Sequence, residues 1–299
     1  MNKIGFNVLA WTAVVSDDLN PIADKLKEIG YDGVECLIGS PDKAAYQRFG
    51  HHARQTGLEV TSVLTMGKEQ NPISEDATVR AKGLDRLKWA IDRAHDLHAG
   101  IICGPIHSAH AHFAQRAPED REYAWAAEVL YAAGEYAAQA NIVLALEALN
   151  RFECYLCNTM DQLSRLVKEV AHPYVKAMFD THHANIEEKK IASAIHTIAP
   201  VLAHVHISEN DRGTPGDGHV PWQDAFSALA DINYPGWLTI EAFSRNDPAF
   251  ANSIGVWREY SKPWDIATDG LNFIREMSRQ HGLGEPQSAA GPDARATLS

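Results

Sequence analysis

No stretch of this 299-residue chain approaches the ~18 consecutive apolar residues of a membrane-spanning helix. The opening residues, MNKIGFNVLAW, carry one lysine and a short apolar run that leads straight into Thr12. They lack the length and small-residue cleavage site of a secretory signal. Cysteine is scarce, with four in all. Cys36 and Cys103 lie in apolar, strand-like runs and read as small core residues. Cys154 and Cys157 form a lone C-x-x-C, whereas a structural zinc site asks for a second pair. Free buried thiols suit a reducing cytoplasm, where the protein is expected. Positive charge is also short: 27 Lys and Arg against 39 Asp and Glu leave a net charge of −12. That balance argues against binding a phosphate backbone, which depends on clustered cations. Neither G-x-G-x-x-G nor G-x-x-x-x-G-K-[ST] occurs. The absences leave an enzyme of small molecules, with no nucleic-acid or membrane partner.

What is present is a regular alternation. Apolar residues make up 45% of the chain, ample for a core. Strand-like runs occupy 4–11, 33–38, 58–65, 100–107, 142–149, 175–182, 202–208 and 237–243. Helical patterns at 20–30, 42–56, 75–98, 119–140 and 160–170 lie between them. Asn20-Pro21 opens the first helix and Gly30 closes it; Gly57 closes the second. Eight strands, each followed by a helix, predict an α/β fold of the (β/α)8 TIM-barrel type over residues 1–281. A doubly wound sheet is the alternative, but the turn after the first strand, WTAVVSDDLN, has no glycine. The end of the chain, 282–299, is rich in Gly, Pro, Ala and Ser without periodicity, and is expected to be disordered.

In such a barrel, chemistry belongs at the C-terminal ends of the strands. Strand five, IVLALEAL, buries an apolar run and then delivers Glu147. A buried carboxylate without a partner is costly. Strand six ends in Asp180, followed by His183 and by His182, which would face the other way if the strand continued; strand seven carries His204 and His206; strand eight delivers Glu241. Alternation puts each of Glu147, Asp180, His206 and Glu241 on a face otherwise suited to a barrel interior. His204 shares that face and reads as a hydrogen-bonded interior histidine. Three carboxylates and one imidazole suit a hard or borderline divalent cation such as Mn²⁺, Mg²⁺ or Co²⁺.

The segments EALNRFE, FDTHHANIEE, HVHISENDRGTPGDGHVPW and IEAF resemble the ketose 3-epimerases of the D-tagatose and D-psicose 3-epimerase group, members of the xylose-isomerase-like barrels. The resemblance runs over about residues 1–280. It implies a metal, Mn²⁺ foremost, held by Glu147, Asp180, His206 and Glu241. It implies that Glu153, His183 and Arg212 bind the O1–O3 end of a free ketose. Phe6, His107 and Phe243 are expected around the remainder of the sugar, where the loop CGPIHSAHAHF also brings His110 and His112. A homo-oligomer, dimer or tetramer, is expected.

Inverting C3 of a ketose needs a proton removed on one face and returned on the other. Strands five and eight stand three apart in an eight-stranded ring, so Glu147 and Glu241 can serve as the two acid–base groups. An aldose–ketose or hydroxypyruvate-type isomerase on the same site is the alternative; it would move a proton between C1 and C2. A DNA-repair endonuclease of related fold would need a basic groove. A non-catalytic sugar-binding barrel would not need both glutamates facing the sugar.

Overall fold

The computed structural model of the protein describes residues 2–284. Local chemistry sets its boundaries. Helix α1 (Asn20–Ile29) has Pro in its first turn and stops at Gly30, whose φ of 108° few side chains tolerate. Helix α2 (Lys43–Thr56) starts where the Asp42 carboxylate accepts the Ala44 and Ala45 amides, and stops at Gly57. Helix α3 is Ala77–Asp96 and α4 is Asp120–Ala140. A reciprocal Thr159–Gln162 capping box opens α5 (Met160–Val170). The remaining helices are α6 (Thr181–Glu187), α7 (Ile191–Ile198), α8 (Trp222–Asp231), α9 (Pro248–Ser253) and α10 (Pro263–His281). Pro221 stands directly before α8.

The strands are β1 (Ile4–Asn7), β2 (Gly33–Leu37), β3 (Glu59–Val63), β4 (Ile101–Gly104), β5 (Val143–Leu146), β6 (Val175–Asp180), β7 (Leu202–Ile207) and β8 (Trp237–Ile240). Each pairs in parallel with the next, and β8 returns to β1, closing the expected barrel. The sequence reading runs several strands too long at their C-terminal ends. The physical reason is that the chain stays buried after leaving the ladder: Ile106, His107, Ala148 and Leu149 are all buried beyond the last paired residue.

Side-chain alternation sorts the core. Val63, Cys103, Ala145 and Met178 cluster inside the barrel. Phe6, Val34, Leu144 and Phe179 face the layer between strands and helices. All four cysteines are free and buried. No helix among the described residues is long and apolar enough to cross a membrane. The expected tail, 282–299, falls almost wholly outside the described residues.

Candidate active site

The four strand-end residues converge. Glu147 follows the last residue of β5, and its amide still donates to the Gly104 carbonyl of β4 (3.0 Å). Asp180 ends β6, His206 lies in β7, and Glu241 follows β8. One nitrogen or oxygen from each of the four lies within 4.8 Å of all the others. His206 Nδ1 is 3.6 Å from Asp180 Oδ2 and 3.4 Å from Glu241 Oε2. Two neighbouring side chains tie these strand ends together. The Thr181 hydroxyl donates to the Ser208 carbonyl (2.7 Å), and the Ser208 hydroxyl donates to the Glu241 carbonyl (2.8 Å).

Three buried carboxylates this close repel one another, so the site needs positive charge. Burial, then the charges of Glu241 and Asp180, push the Glu147 carboxyl well above its usual range. Burial alone would raise Asp180 too, but the Arg212 guanidinium and His183 hold it well below the usual carboxylate range. Arg212 Nη1 donates to Asp180 Oδ2 (2.9 Å), Glu241 Oε2 (2.8 Å) and the Ser208 hydroxyl (2.9 Å). Glu147 Oε1 and His206 Nδ1 are buried and find no hydrogen-bond partner. Two orphaned acceptors beside two further carboxylates are the donor set of a divalent cation that prefers oxygen and imidazole. The residues therefore fit the metal that the sequence suggested.

Above this cluster opens a cavity of about 480 Å³. Glu147, Glu153, His183, Arg212, Glu241 and Phe243 all line it. Asn150 links two of them: its side-chain amide donates to Glu153 Oε1 (2.7 Å), and its backbone amide donates to His183 Nδ1 (3.1 Å). Arg212 Nη2, which can only donate, lies 2.8 Å from His183 Nε2, and burial pushes the His183 pKa down to about 3. Burial opposes ionisation of Glu153, but His110, His183 and Arg212 overcome it and hold that carboxyl below its usual range.

Not every expected residue reaches the cavity. Phe6 points outward from β1, fully buried against Trp11 and Tyr31, because alternation gives the inward position to Asn7. His107 is also fully buried; its Nε2–H donates to the Glu147 carbonyl (2.8 Å) and Ser108 donates to its Nδ1 (3.0 Å). It braces the backbone under Glu147 rather than lining the cavity. His110 from the same loop does line it, 3.2 Å from Glu153 Oε2, whereas His112 is exposed. His182, expected to face away on a continuing strand, lines the cavity beside His183. The strand does not continue. The Asp180 carboxylate caps α6 by accepting the His182 amide (2.6 Å), which turns the chain into helix at Thr181.

Three residues that sequence reasoning missed shape the site. Glu209 is fully buried, and its carboxylate accepts from the amides of Asn210, Gly216 and Val220 and from Trp222 Nε1, at 2.9–3.1 Å. Those bonds fold the loop that carries Arg212. A Cβ on Gly218 would stand 2.5 Å from Glu209 Oε1, so only glycine fits there. Glu35 and Asn7 lie beneath the cation cluster, joined at 3.0 Å. Glu35 carried the same signal as Glu147, a carboxylate inside an apolar strand, but in mid-strand rather than at an end.

The chain is 33% identical to the D-psicose 3-epimerase of Agrobacterium fabrum over 269 residues, 89% of this chain and 93% of that one. A crystal structure of a D-psicose 3-epimerase in the presence of D-fructose superposes with a TM-score of 0.85 at 31% identity, covering 94% of this chain and 99% of that chain. A structure of an L-ribulose 3-epimerase gives a TM-score of 0.87 at 26% identity, covering 96% and 99%. The model of the xylose isomerase-like TIM barrel family matches residues 23–277. With its closed parallel barrel and its strand-end cluster, the chain belongs to the xylose isomerase-like TIM barrel family.

Proposed function

We propose that this protein is a divalent-metal-dependent ketose 3-epimerase acting on free ketoses of the psicose, tagatose, fructose or L-ribulose type. The observation that carries the reading is the pair of buried carboxylates, Glu147 and Glu241, delivered from strands three apart onto one cavity. Glu147, Asp180, His206 and Glu241 would hold the cation, Mn²⁺ in preference to Co²⁺ or Mg²⁺. When bound, the cation polarises the C2 carbonyl and stabilises the negative charge that develops on deprotonation at C3.

The chain's own groups do the rest. Glu147 and Glu241 take and return the C3 proton from opposite faces through an enediolate, exchanging roles with the direction of reaction. Glu153, poised as an anion, accepts from the hydroxyls at the O1–O2 end. The Arg212 guanidinium, which Phe243 backs at 5.0 Å, donates to a substrate oxygen, and His183, 2.8 Å from Arg212 Nη2, binds the sugar beside it. His110 holds Glu153 in place. The remaining wall of the cavity, including Leu9, Leu37, Val63 and Ile254, excludes water from the reacting carbon. Among the described residues no lysine lines the cavity, which favours a free sugar over a sugar phosphate. The protein acts in the cytoplasm as a homo-oligomer.

The test is a panel of free ketoses incubated with EDTA-treated protein, then with added Mn²⁺ or Co²⁺, and scored by product identity. The C3 epimer should form only with metal. An aldose product would support the isomerase alternative, and full activity in a demonstrably metal-free preparation would remove the metal from the account.

A further inference from the structure

The cation cluster rests on a second polar layer. Glu35, in the middle of β2, is fully buried. Its Oε1 accepts from His206 Nε2 (2.7 Å) and from the Asn7 side-chain amide (3.0 Å). Its Oε2 accepts from the Thr61 hydroxyl (2.9 Å) and the Cys103 thiol (3.3 Å), and lies 2.9 Å from His204 Nε2. The same Asn7 amide reaches Glu241 Oε1 at 3.2 Å. Strands β2 and β7 are three apart in the ring, so Glu35 meets His206 across the barrel interior, not along the ladder.

This geometry decides which nitrogen of His206 is available. With Nε2 bonded to Glu35, Nδ1 is the nitrogen left facing Asp180 and Glu241, where a neutral ring offers its lone pair to a cation. A neutral imidazole has one donor and one acceptor, so the bond on one side fixes the function of the other. A carboxylate behind a ligating histidine also sets the ring plane and raises the basicity of the ligand. Asn7 extends the brace to the second glutamate.

We propose that Glu35, with Asn7, is a positioning residue for the cation site: it fixes the tautomer and orientation of His206 and the placement of the Glu241 carboxylate, and so sets metal affinity. The proposal rests on the reading of Glu147, Asp180, His206 and Glu241 as the metal ligands. Glu35 itself touches neither cation nor sugar.

Co²⁺ binding in the absence of sugar tests it, followed by calorimetry and by the visible absorption of the bound ion. The wild-type chain should bind one Co²⁺. Glu35→Gln keeps the volume but offers an amide where His206 needs a carboxylate. It should weaken Co²⁺ binding roughly 10- to 100-fold and shift the absorption band, with KM for ketose little changed at saturating metal. Glu35→Asp keeps the charge but withdraws it by one methylene; it should lie between the two and supplies a folded variant if Glu35→Gln is unstable. Asn7→Ser should show a smaller loss of affinity. Wild-type affinity and spectrum in a folded Glu35→Gln or Glu35→Asp protein would overturn the proposal while leaving the metal site intact. Failure of the wild-type chain to bind Co²⁺ would overturn both. Two Co²⁺ per chain, with a thiolate charge-transfer band lost in Cys103→Ser, would show that Glu35, Cys103 and His204 bind a cation themselves, and would also overturn it.

Discussion

The two halves of the barrel do different work. The ends of β5–β8 supply Glu147, Asp180, His206 and Glu241, the loops after β5 and β7 supply Glu153 and Arg212, and α6 supplies His183. Strands β1–β4 and their loops put mostly apolar side chains on the cavity, among them Leu9, Leu37, Val63 and Pro105, with His110 as the ionisable exception. Below the proposed ligands, Asn7 and Glu35 touch Glu241 and His206 from behind, Cys103 lies 3.7 Å from His206 Nε2, and Thr61 donates to Glu35. On the proposed function, one half carries the reacting groups and the other holds them. Glu35 reaches His206 through the barrel interior, which is why it occupies a mid-strand position.

The sharpest contrast should come from removing proton transfer. Glu147→Gln and Glu241→Gln keep the side-chain volume and an oxygen for the cation but remove the acid–base group. Each should lower kcat by several orders of magnitude, since acid–base catalysis alone is worth roughly 10²–10⁴-fold. One of the two should still exchange the C3 proton with solvent without inverting the carbon, because exchange needs only one face. Near wild-type epimerisation in both metal-loaded variants would break the division between the halves.

Loop residues of the same half should cost less. Arg212→Ala and Glu153→Ala should lower kcat/KM about 10- to 100-fold, as a hydrogen bond to a charged group is worth about 1.5–3 kcal/mol. Glu153→Ala should raise KM and leave cation affinity near wild type, because Glu153 contacts Asn150 and His110 and none of the four ligands. Arg212→Ala also removes a guanidinium from Asp180 and Glu241, so it should tighten cation binding while damaging turnover. Equal cation affinity in wild type and Arg212→Ala would mean that this ion pair has no influence on the site.

The smallest effect concerns support from the first half, and pH reads it. Burial pushes the pKa of His107, in the loop after β4, down to about 4, against roughly 6.5 in an unfolded chain. The native state therefore binds fewer protons than the unfolded state. The stabilisation is complete above about pH 6.5 and is lost as pH falls towards 4. At pH 5 the loss should be about 2 kcal/mol from this residue. His107→Gln should lower stability at pH 7.5 and flatten the decline between pH 7 and 5 in urea melts of the metal-free protein. A decline as steep as that of the wild type would place the acid sensitivity in other groups.

The same two halves explain what the sequence disclosed. Each strand-end ligand interrupts an apolar run where a strand is expected to surface, so Glu147 and Glu241 stand out from LALEAL and LTIEAF. The eight-strand order was legible for a similar reason, because Pro and Gly punctuate the alternating segments. Glu35 was not legible as a partner of His206, since the two lie 171 positions apart and meet only when the barrel closes. His182 was misplaced because the capping role of Asp180 outweighs the strand pattern around it. Phe6 was misplaced by a single step of alternation, the difference between the two faces of β1. Hub residues such as Glu209 bind backbone amides, which leave no mark in sequence.

The central claim is proton exchange at C3, and deuterium reports it directly. Metal-loaded protein should be given one free ketose in D₂O, and the recovered sugars resolved by NMR. Deuterium should appear at C3 of the epimeric product and of the recovered substrate, with none at C1. Deuterium at C1 together with an aldose product, or inversion at C3 without solvent deuterium, would contradict it.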